Sequence, residues 1–379
     1  MSTGGSRIPL LDLKPQIHAH WGEIQRAFRR VLRTGRFILG REVAAFENEV
    51  AQFLGVRHAI GCNSGTDALV LSLRALEIGS GDEVITTPFT FFATVEAIHN
   101  AGATPVLVDI EADTLNIDPS RIEAAVTERT KAIVPVHLFG HAADMNPILQ
   151  IADQHDLRVI EDAAQAFGGK YRGRTLGSLG EVSAFSLFPS KNLGAFGDAG
   201  LVVTNNDSLA EKTRLLRTHG AQGRYHNEML GYNSRLDELQ AAILRIHLQQ
   251  VSAWNDRRRR TALAYNDGLD GVPWIRTPHT ADYAEHVYHQ YTVRIEGRDR
   301  DQVAKQLDAA GIDTAVYYPV PIHQLPVYND QTFGTFPVAE AAANEVLSLP
   351  MGQHMTDAMV RQVVEVVKNL GTRAIVKAA

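Results

Sequence analysis

Lys191 is the residue of this sequence best placed for covalent chemistry. It stands in Ser183-Ala-Phe-Ser-Leu-Phe-Pro-Ser-Lys191-Asn-Leu-Gly, where an apolar β-type run ends, a proline turns the chain and the lysine follows at once. A lysine just past such a turn can project into a dry cleft. Desolvation and nearby cations there lower the amine's pKa, making it nucleophilic and able to form a Schiff base. The competing reading is a loop lysine that faces water or a phosphate. In Arg158-Val-Ile-Glu-Asp162-Ala-Ala-Gln165 a second apolar run closes on an acidic residue. A carboxylate at that point can keep a pyridinium nitrogen protonated. Gln165, one helical turn on, can donate to an oxygen of the same ring. The alternatives are a helix cap or metal ligand at Asp162 and a surface glutamine at Gln165. Asn63-Ser64-Gly65-Thr66-Asp67 lies between a β-type run, 58–61, and a helical one, 68–77. A small glycine-containing turn that opens a helix presents free N–H groups and the positive end of the helix dipole, which suits phosphate. The hydroxyls of Ser64 and Thr66 add donors, and the alternative is an ordinary helix N-cap.

Read together, these segments come in the order phosphate cup, ring carboxylate, Schiff-base lysine, each at the end of a β-type run. Ser186 and Ser190 flank the lysine as further phosphate donors. Phe89 and Phe91 follow the run 83–87 and are placed to stack on an aromatic ring, with core packing as their competing role. The joint pattern predicts an enzyme that uses pyridoxal 5′-phosphate on the fold type I (aspartate aminotransferase-like) scaffold.

The elements that must position these residues are legible from periodicity. Runs 83–87, 105–109, 131–136, 158–161, 183–187 and 201–204 are rich in Val, Ile and Phe and mostly unbroken, as strands buried on both faces are. Helical stretches at 66–77, 91–101, 119–126 and 145–155 alternate with them. The alternation predicts an α/β architecture with a mainly parallel sheet, whose ligands sit beyond the carboxyl ends of the strands. From 235 to about 269 a long helical stretch leads to a different pattern: strand-like 288–295, helical 300–310, strand-like 313–317 and two terminal helices. The expected organisation is a large cofactor domain with an N-terminal helical segment, 1–250, and a smaller α+β domain, 251–379.

At 379 residues the chain is long enough for two cores. Its net charge of −6 gives no reason to expect nucleic acid or an anionic membrane as partner. The basic run Arg257 to Arg260 reads as a solvated helix face. The single cysteine, Cys62, excludes a disulfide framework, a zinc cluster and a protein-held iron–sulfur cluster within one chain, so no metal is expected. Residues 1–13 lack a signal-peptide core and no apolar run spans a bilayer, which makes a cytoplasmic setting the expectation. No Gly-x-Gly-x-x-Gly turn joins a strand to a helix, against a nicotinamide-dependent dehydrogenase.

The chain also resembles the DegT/DnrJ/EryC1/StrS family of sugar aminotransferases over nearly its whole length. The resemblance rests on Asp12-Leu-Lys, Phe37-Ile-Leu-Gly, Ser64-Gly-Thr-Asp-Ala-Leu, Gly81-Asp-Glu-Val-Ile, Pro88-Phe-Thr-Phe, Pro135-Val-His-Leu-Phe-Gly and Glu161-Asp-Ala-Ala-Gln-Ala. It continues in Phe185-Ser-Leu-Phe-Pro-Ser-Lys-Asn-Leu-Gly, Gly231-Tyr-Asn-Ser-Arg-Leu-Asp-Glu and Tyr318-Pro-Val-Pro-Ile-His. It implies that Lys191 carries the cofactor and shuttles the proton, that Asp162 pairs with the ring nitrogen, and that Gln165 lies near the ring's phenolic oxygen. It further implies phosphate binding by Gly65, Thr66 and Ser186, stacking by Phe91, and an Asn233 that reaches the cofactor phosphate of the other subunit in a homodimer with shared sites. Tyr318 and His323 match positions that approach the sugar nucleotide. The implied reaction moves an amino group from glutamate to a nucleotide-linked keto-sugar, with Pro88-Phe-Thr-Phe-Phe-Ala-Thr and Asp12-Leu-Lys resembling members that act at C3. Leu187 and Gly169 depart from the family's usual aromatic residue and alanine. Relatives that dehydrate sugars carry a histidine at the lysine position, whereas Lys191 favours transamination. A sugar dehydratase and a non-catalytic regulator on the same fold are the alternatives.

Overall fold

The apolar runs between residues 58 and 204 assemble into one seven-stranded sheet. Its strands are β1 (His58–Cys62), β2 (Glu83–Thr86), β3 (Thr104–Leu107), β4 (Thr130–Ile133), β5 (Arg158–Asp162), β6 (Val182–Ser186) and β7 (Gly200–Thr204), in the order β1-β7-β6-β5-β4-β2-β3. The computed structural model describes residues 7–375 apart from Arg224 and Thr332. All neighbouring pairs from β6 to β3 are parallel, while β7 runs antiparallel to both β1 and β6. The unbroken hydrophobicity follows from cover on both faces. Ile60, Val84, Ala132, Ile160, Val182, Ala184 and Val202 pack into one core with helices Gly65–Ala75 and Ala93–Ala101. Their sequence neighbours point the other way: Ala59, Phe185, Leu201 and Val203 into a second core, Ile85, Ile133 and Val159 into a third. Such alternation is the period-2 geometry of a strand.

Register brings the chemistry to one edge. Cys62 lies opposite Gly200, Gly200 opposite Ser186, and Asp162 beside Ala184. The segments that leave β1, β5 and β6 therefore emerge together. Cys62 itself is inert, since burial pushes its thiol up to about 12.

A three-stranded antiparallel sheet, Ile275–Arg276, Tyr291–Ile295 and Val346–Leu349, stands apart from the large one. Tyr265, Tyr291, Val293, Leu307, Leu349 and Val363 form its core with helices Val251–Leu269, Arg300–Ala309 and Asp357–Ile375. Ile8 joins that core, and its N–H donates to the Gly311 carbonyl at 2.8 Å, so the N-terminal segment packs with C-terminal elements.

Four local expectations are corrected. Residues 119–126 form two 3-10 turns, Pro119–Arg121 and Glu123–Ala125, rather than one α-helix. Pro119 and Ile122 are the buried apolar anchors there, too few to hold a longer helix against its nucleation cost. The stretch 235–269 breaks into Glu238–Leu248 and Val251–Leu269. The first packs on Trp21–Thr34 and Arg41–Leu54, the second on the C-terminal helix, and one straight helix cannot meet both. The stretch 313–317 contributes a single bridge, Ala315 to Ser348, and no strand. Finally, Arg258 is 1% exposed, so the basic run is not a uniformly solvated face. Among the described residues no helix is long and apolar enough to cross a membrane.

Candidate active site

The turn after β1 starts helix Gly65–Ala75, and Ser64 is its N-cap, accepting a hydrogen bond from the Asp67 N–H at 3.1 Å. The capping reading thus holds for Ser64. The cap leaves other first-turn N–H groups without an acceptor inside the helix, an arrangement that suits an anion. Gly65 is required here by close approach: a Cβ on it would lie 2.6 Å from the Ser186 Cβ and 3.0 Å from its Cα. Gly65→Ala is therefore expected to force the two loops apart, weakening phosphate binding at least about tenfold and lowering stability by roughly 1–3 kcal/mol. Titration with pyridoxal phosphate and a thermal melt read the two effects.

Asp162 closes β5. Its Oδ2 accepts from the Thr94 hydroxyl at 2.7 Å and its Oδ1 from the Ala164 N–H at 3.2 Å. Burial raises this carboxyl above its ordinary value, against the pull of the Thr94 and Ala164 bonds and of Lys191. A buried carboxylate with only neutral hydrogen-bond donors and an unlinked amine nearby is suited to a cationic ring N–H, which would supply the missing charge. The adjacent Glu161 points to the opposite side of the strand and has a structural role. It accepts from His137 Nε2 at 3.0 Å, from the N–H groups of Gly177, Leu179 and Gly180, and from the Ser183 hydroxyl. Burial pushes Glu161 up, but the His137 and backbone bonds outweigh it and hold the carboxyl below its usual value. His137 in turn donates its own N–H to the Asp162 carbonyl at 3.0 Å, fixing the strand end. Gln165 is oriented by two bonds: its Oε1 accepts from the Phe139 N–H at 2.7 Å and its Nε2 donates to the Tyr318 hydroxyl at 3.0 Å.

Lys191 follows the turn after β6, its N–H closing onto the Phe188 carbonyl at 2.8 Å. Withdrawal from water pushes its amine down to about 8, with Asp162 pulling the other way. The neutral amine is the nucleophile. Its fraction at pH 7 is about one in ten, against well under one in a thousand for an ordinary lysine. Covalent capture of pyridoxal phosphate by the cofactor-free protein is thus expected to speed up with rising pH and level off above about 8, followed through the visible absorption of the product.

These groups line one cavity of about 610 Å³ at the carboxyl edge of the sheet. Gly65, Thr66, Phe91, Asp162, Gln165, Ser186, Lys191 and Tyr318 all face it, as do Ser64 and Ser190. Phe91 is 59% exposed and its ring lies 6.2 Å from that of Tyr318, whereas Phe89 is 1% exposed and belongs to the core. Two further candidates lie outside this chain's cavity lining, one of them, Asn233, expected at the cofactor of a second copy. His323 bonds Glu340 through Nε2 at 3.0 Å and packs edge-on against Phe336, outside the cavity lining. Asn233 is exposed in a neighbouring depression shared with Ser64 and Asp198.

A profile described as the DegT/DnrJ/EryC1/StrS aminotransferase family matches residues 19–368. The chain belongs to this family. A pleiotropic regulatory protein of Geobacillus stearothermophilus is 49% identical over 94% of this chain and 97% of its own. A dTDP-3-amino-3,4,6-trideoxy-alpha-D-glucose transaminase of Streptomyces venezuelae is 47% identical over 97% of each. Among solved structures, DesV of S. venezuelae in complex with a ketimine intermediate superposes with a TM-score of 0.94 at 47% identity, over 97% of this chain and 99% of that one.

This DegT/DnrJ/EryC1/StrS member also places in the cavity residues that its sequence did not single out. Thr94, in the first turn of helix Ala93–Ala101, reaches Asp162, and its hydroxyl lies 3.0 Å from that of Thr90. His289, Gln290 and Tyr317 come from a distant part of the chain. Nothing in their local sequence separates them from packed residues.

Proposed function

We propose that this protein transfers the amino group of glutamate to a keto carbon of a nucleotide-linked sugar, with C3 as the site of amination. The observation that carries the reading is the meeting of Lys191, Asp162 and the start of helix Gly65–Ala75 in one cavity. In this reading the N–H groups of Gly65 and Thr66 and the Ser186 hydroxyl hold the phosphate of pyridoxal phosphate. Asp162 holds a proton on its ring nitrogen, Phe91 covers a ring face, and Gln165 approaches the ring edge. Bound there, the cofactor supplies an electron sink that lets a proton leave the carbon bearing nitrogen.

The chain's own part is proton transfer and exclusion of water. The Lys191 Nζ takes the proton from the Cα of glutamate and would pass it to the bound cofactor, which keeps the amino group while water supplies the keto oxygen of the departing 2-oxoglutarate. In the second half the same nitrogen returns a proton to the sugar carbon that receives the amine. Tyr318 and the aromatic walls shield the site. Asn233 of a second copy completes the phosphate seat, so the working unit is a homodimer. Residues 1–250 supply the cofactor groups and residues 251–379 supply His289, Gln290, Tyr317 and Tyr318, which supports a division into a cofactor domain and a covering domain. The name of the 47% identical transaminase supports both the sugar nucleotide and C3.

Nitrogen-15 glutamate supplied with a dTDP- or UDP-linked 3-keto-sugar tests the reading. The label should appear in an amino-sugar nucleotide bearing it at C3. Release of a keto-deoxysugar without label would mean a dehydratase. No consumption of glutamate at all would favour a regulator, the role named for the 49% identical relative.

A further inference from the structure

The reading above needs a charged Asp162, yet the carboxyl is buried and has few groups to keep it so. Its titratable neighbours are Lys191, His137 and Tyr318, and among the described residues none of the three hydrogen-bonds it. His137 is engaged at both ring nitrogens. Its Nδ1 accepts from the Ala143 N–H at 3.1 Å, so Nε2 carries the hydrogen that goes to Glu161. The Tyr318 hydroxyl is bonded to Gln165. Two donors remain for Asp162: the Ala164 N–H at 3.2 Å and the Thr94 hydroxyl at 2.7 Å. Thr94 is thus the one side chain among the described residues that hydrogen-bonds this carboxylate.

Thr94 is itself held in place. It is buried in the first turn of helix Ala93–Ala101, where its N–H closes onto the Phe91 carbonyl at 3.2 Å. The hydroxyl of Thr90, also buried, lies 3.0 Å from its own. A threonine hydroxyl has a single hydrogen. That of Thr94 goes to Asp162, so the hydrogen between the two threonines comes from Thr90. Both hydroxyls therefore point the same way, toward the carboxylate, and each polarises the next. The pair also bridges the sheet edge, since the threonines follow β2 and Asp162 closes β5, with β4 between them. Thr90 directly precedes Phe91, which ties the covering ring to the same anchor.

Burial favours the neutral acid at Asp162, and the Thr94 bond leads the forces that oppose it, ahead of Ala164, Lys191 and His137. A hydroxyl donor stabilises the carboxylate more than the acid. A neutral Asp162 would leave a ring nitrogen without its counter-charge, and the electron sink would weaken.

We propose that the Thr94 hydroxyl, oriented by Thr90, is the side-chain donor that keeps Asp162 ionised and aimed at a ring N–H. Thr94 is a positioning residue acting through Asp162, and the inference rests on the proposed function. The test begins with the full-length protein freed of cofactor. The infrared absorption of the protonated acid, taken as the difference between each protein and its Asp162→Asn counterpart across pH, gives the half-point of this one carboxyl. In Thr94→Val, which keeps the shape without the hydroxyl, the half-point should rise by about one pH unit. Thr94→Ser keeps the donor and should stay within about 0.3 units of wild type. In the cofactor-loaded proteins the glutamate half-reaction should slow about tenfold in Thr94→Val with its KM little changed, and be largely restored in Thr94→Ser. A thermal melt shows that the variants fold, and Thr94→Ala serves if the valine variant does not.

A half-point that is the same in all the proteins overturns the proposal. So do equal losses of rate in the valine and serine variants, which would mark Thr94 as helix packing alone. Failure of the enzyme reading itself shows separately, as a wild-type visible band indifferent to glutamate.

Discussion

Lys191→Ala is expected to lower the rate of amine transfer from glutamate by on the order of 10⁴-fold, the upper range for loss of a positioned acid–base group. The loss is this large because no second group can take over. Asp162, the carboxylate facing Lys191, is committed to Thr94 and Ala164. The protein should fold normally. The folded-state pKa of Lys191, about 8, lies below the unfolded value for a lysine. Between those values the unfolded chain binds more protons, so this group makes the cofactor-free protein more stable as pH rises from about 8 toward the unfolded value. Below that window the whole cost of the desolvated amine is carried. Alanine removes the cost, and the cofactor-free variant should melt no lower than wild type at pH 7. Stopped-flow absorption with glutamate and a melt at two pH values check both parts. A variant that transfers amine at more than a hundredth of the wild-type rate would show that another residue moves the proton.

Asp162→Asn should slow the same step by on the order of 10³-fold, the scale of removing one preorganised electrostatic group from a water-poor site. Asparagine keeps the shape, and its oxygen can still accept from Thr94, but it carries no charge to hold a ring proton. Lysine linkage should therefore survive with its visible band, while proton removal from glutamate nearly stops. That separation distinguishes Asp162 from Lys191, whose replacement abolishes the linkage itself. Rates within threefold of wild type would reduce Asp162 to a structural cap.

The sheet and its chemical edge were legible because they depend on local patterns. Unbroken Val/Ile runs bounded by turns mark doubly covered strands, and short polar segments at their ends mark the functional edge. The antiparallel β7 was not legible, since Gly200–Thr204 is equally apolar whichever way it runs. Lys191, Asp162, Gln165, Gly65, Thr66 and Ser186 share the cavity because each immediately follows or closes a strand. His289 is not legible for the opposite reason. Its place is set by contacts to Gly140, Asn192 and Arg258, far away in sequence. Burial of Arg258 is not legible because four consecutive arginines look alike in sequence, while the helix turns only one of every three or four residues inward. His323, matched by motif, has its ring bonded to Glu340 and lies outside this chain's cavity lining, a placement that no local pattern announces.

The most direct test of the central claim is the absorption spectrum of the pyridoxal phosphate-loaded protein through one full cycle. Glutamate should replace the visible band of the lysine-linked cofactor with a near-ultraviolet one. A 3-keto-sugar nucleotide added afterwards, with glutamate removed, should restore the visible band as the amino-sugar nucleotide appears. A visible band that glutamate leaves unchanged, or a near-ultraviolet form that no keto-sugar nucleotide discharges, would contradict the account.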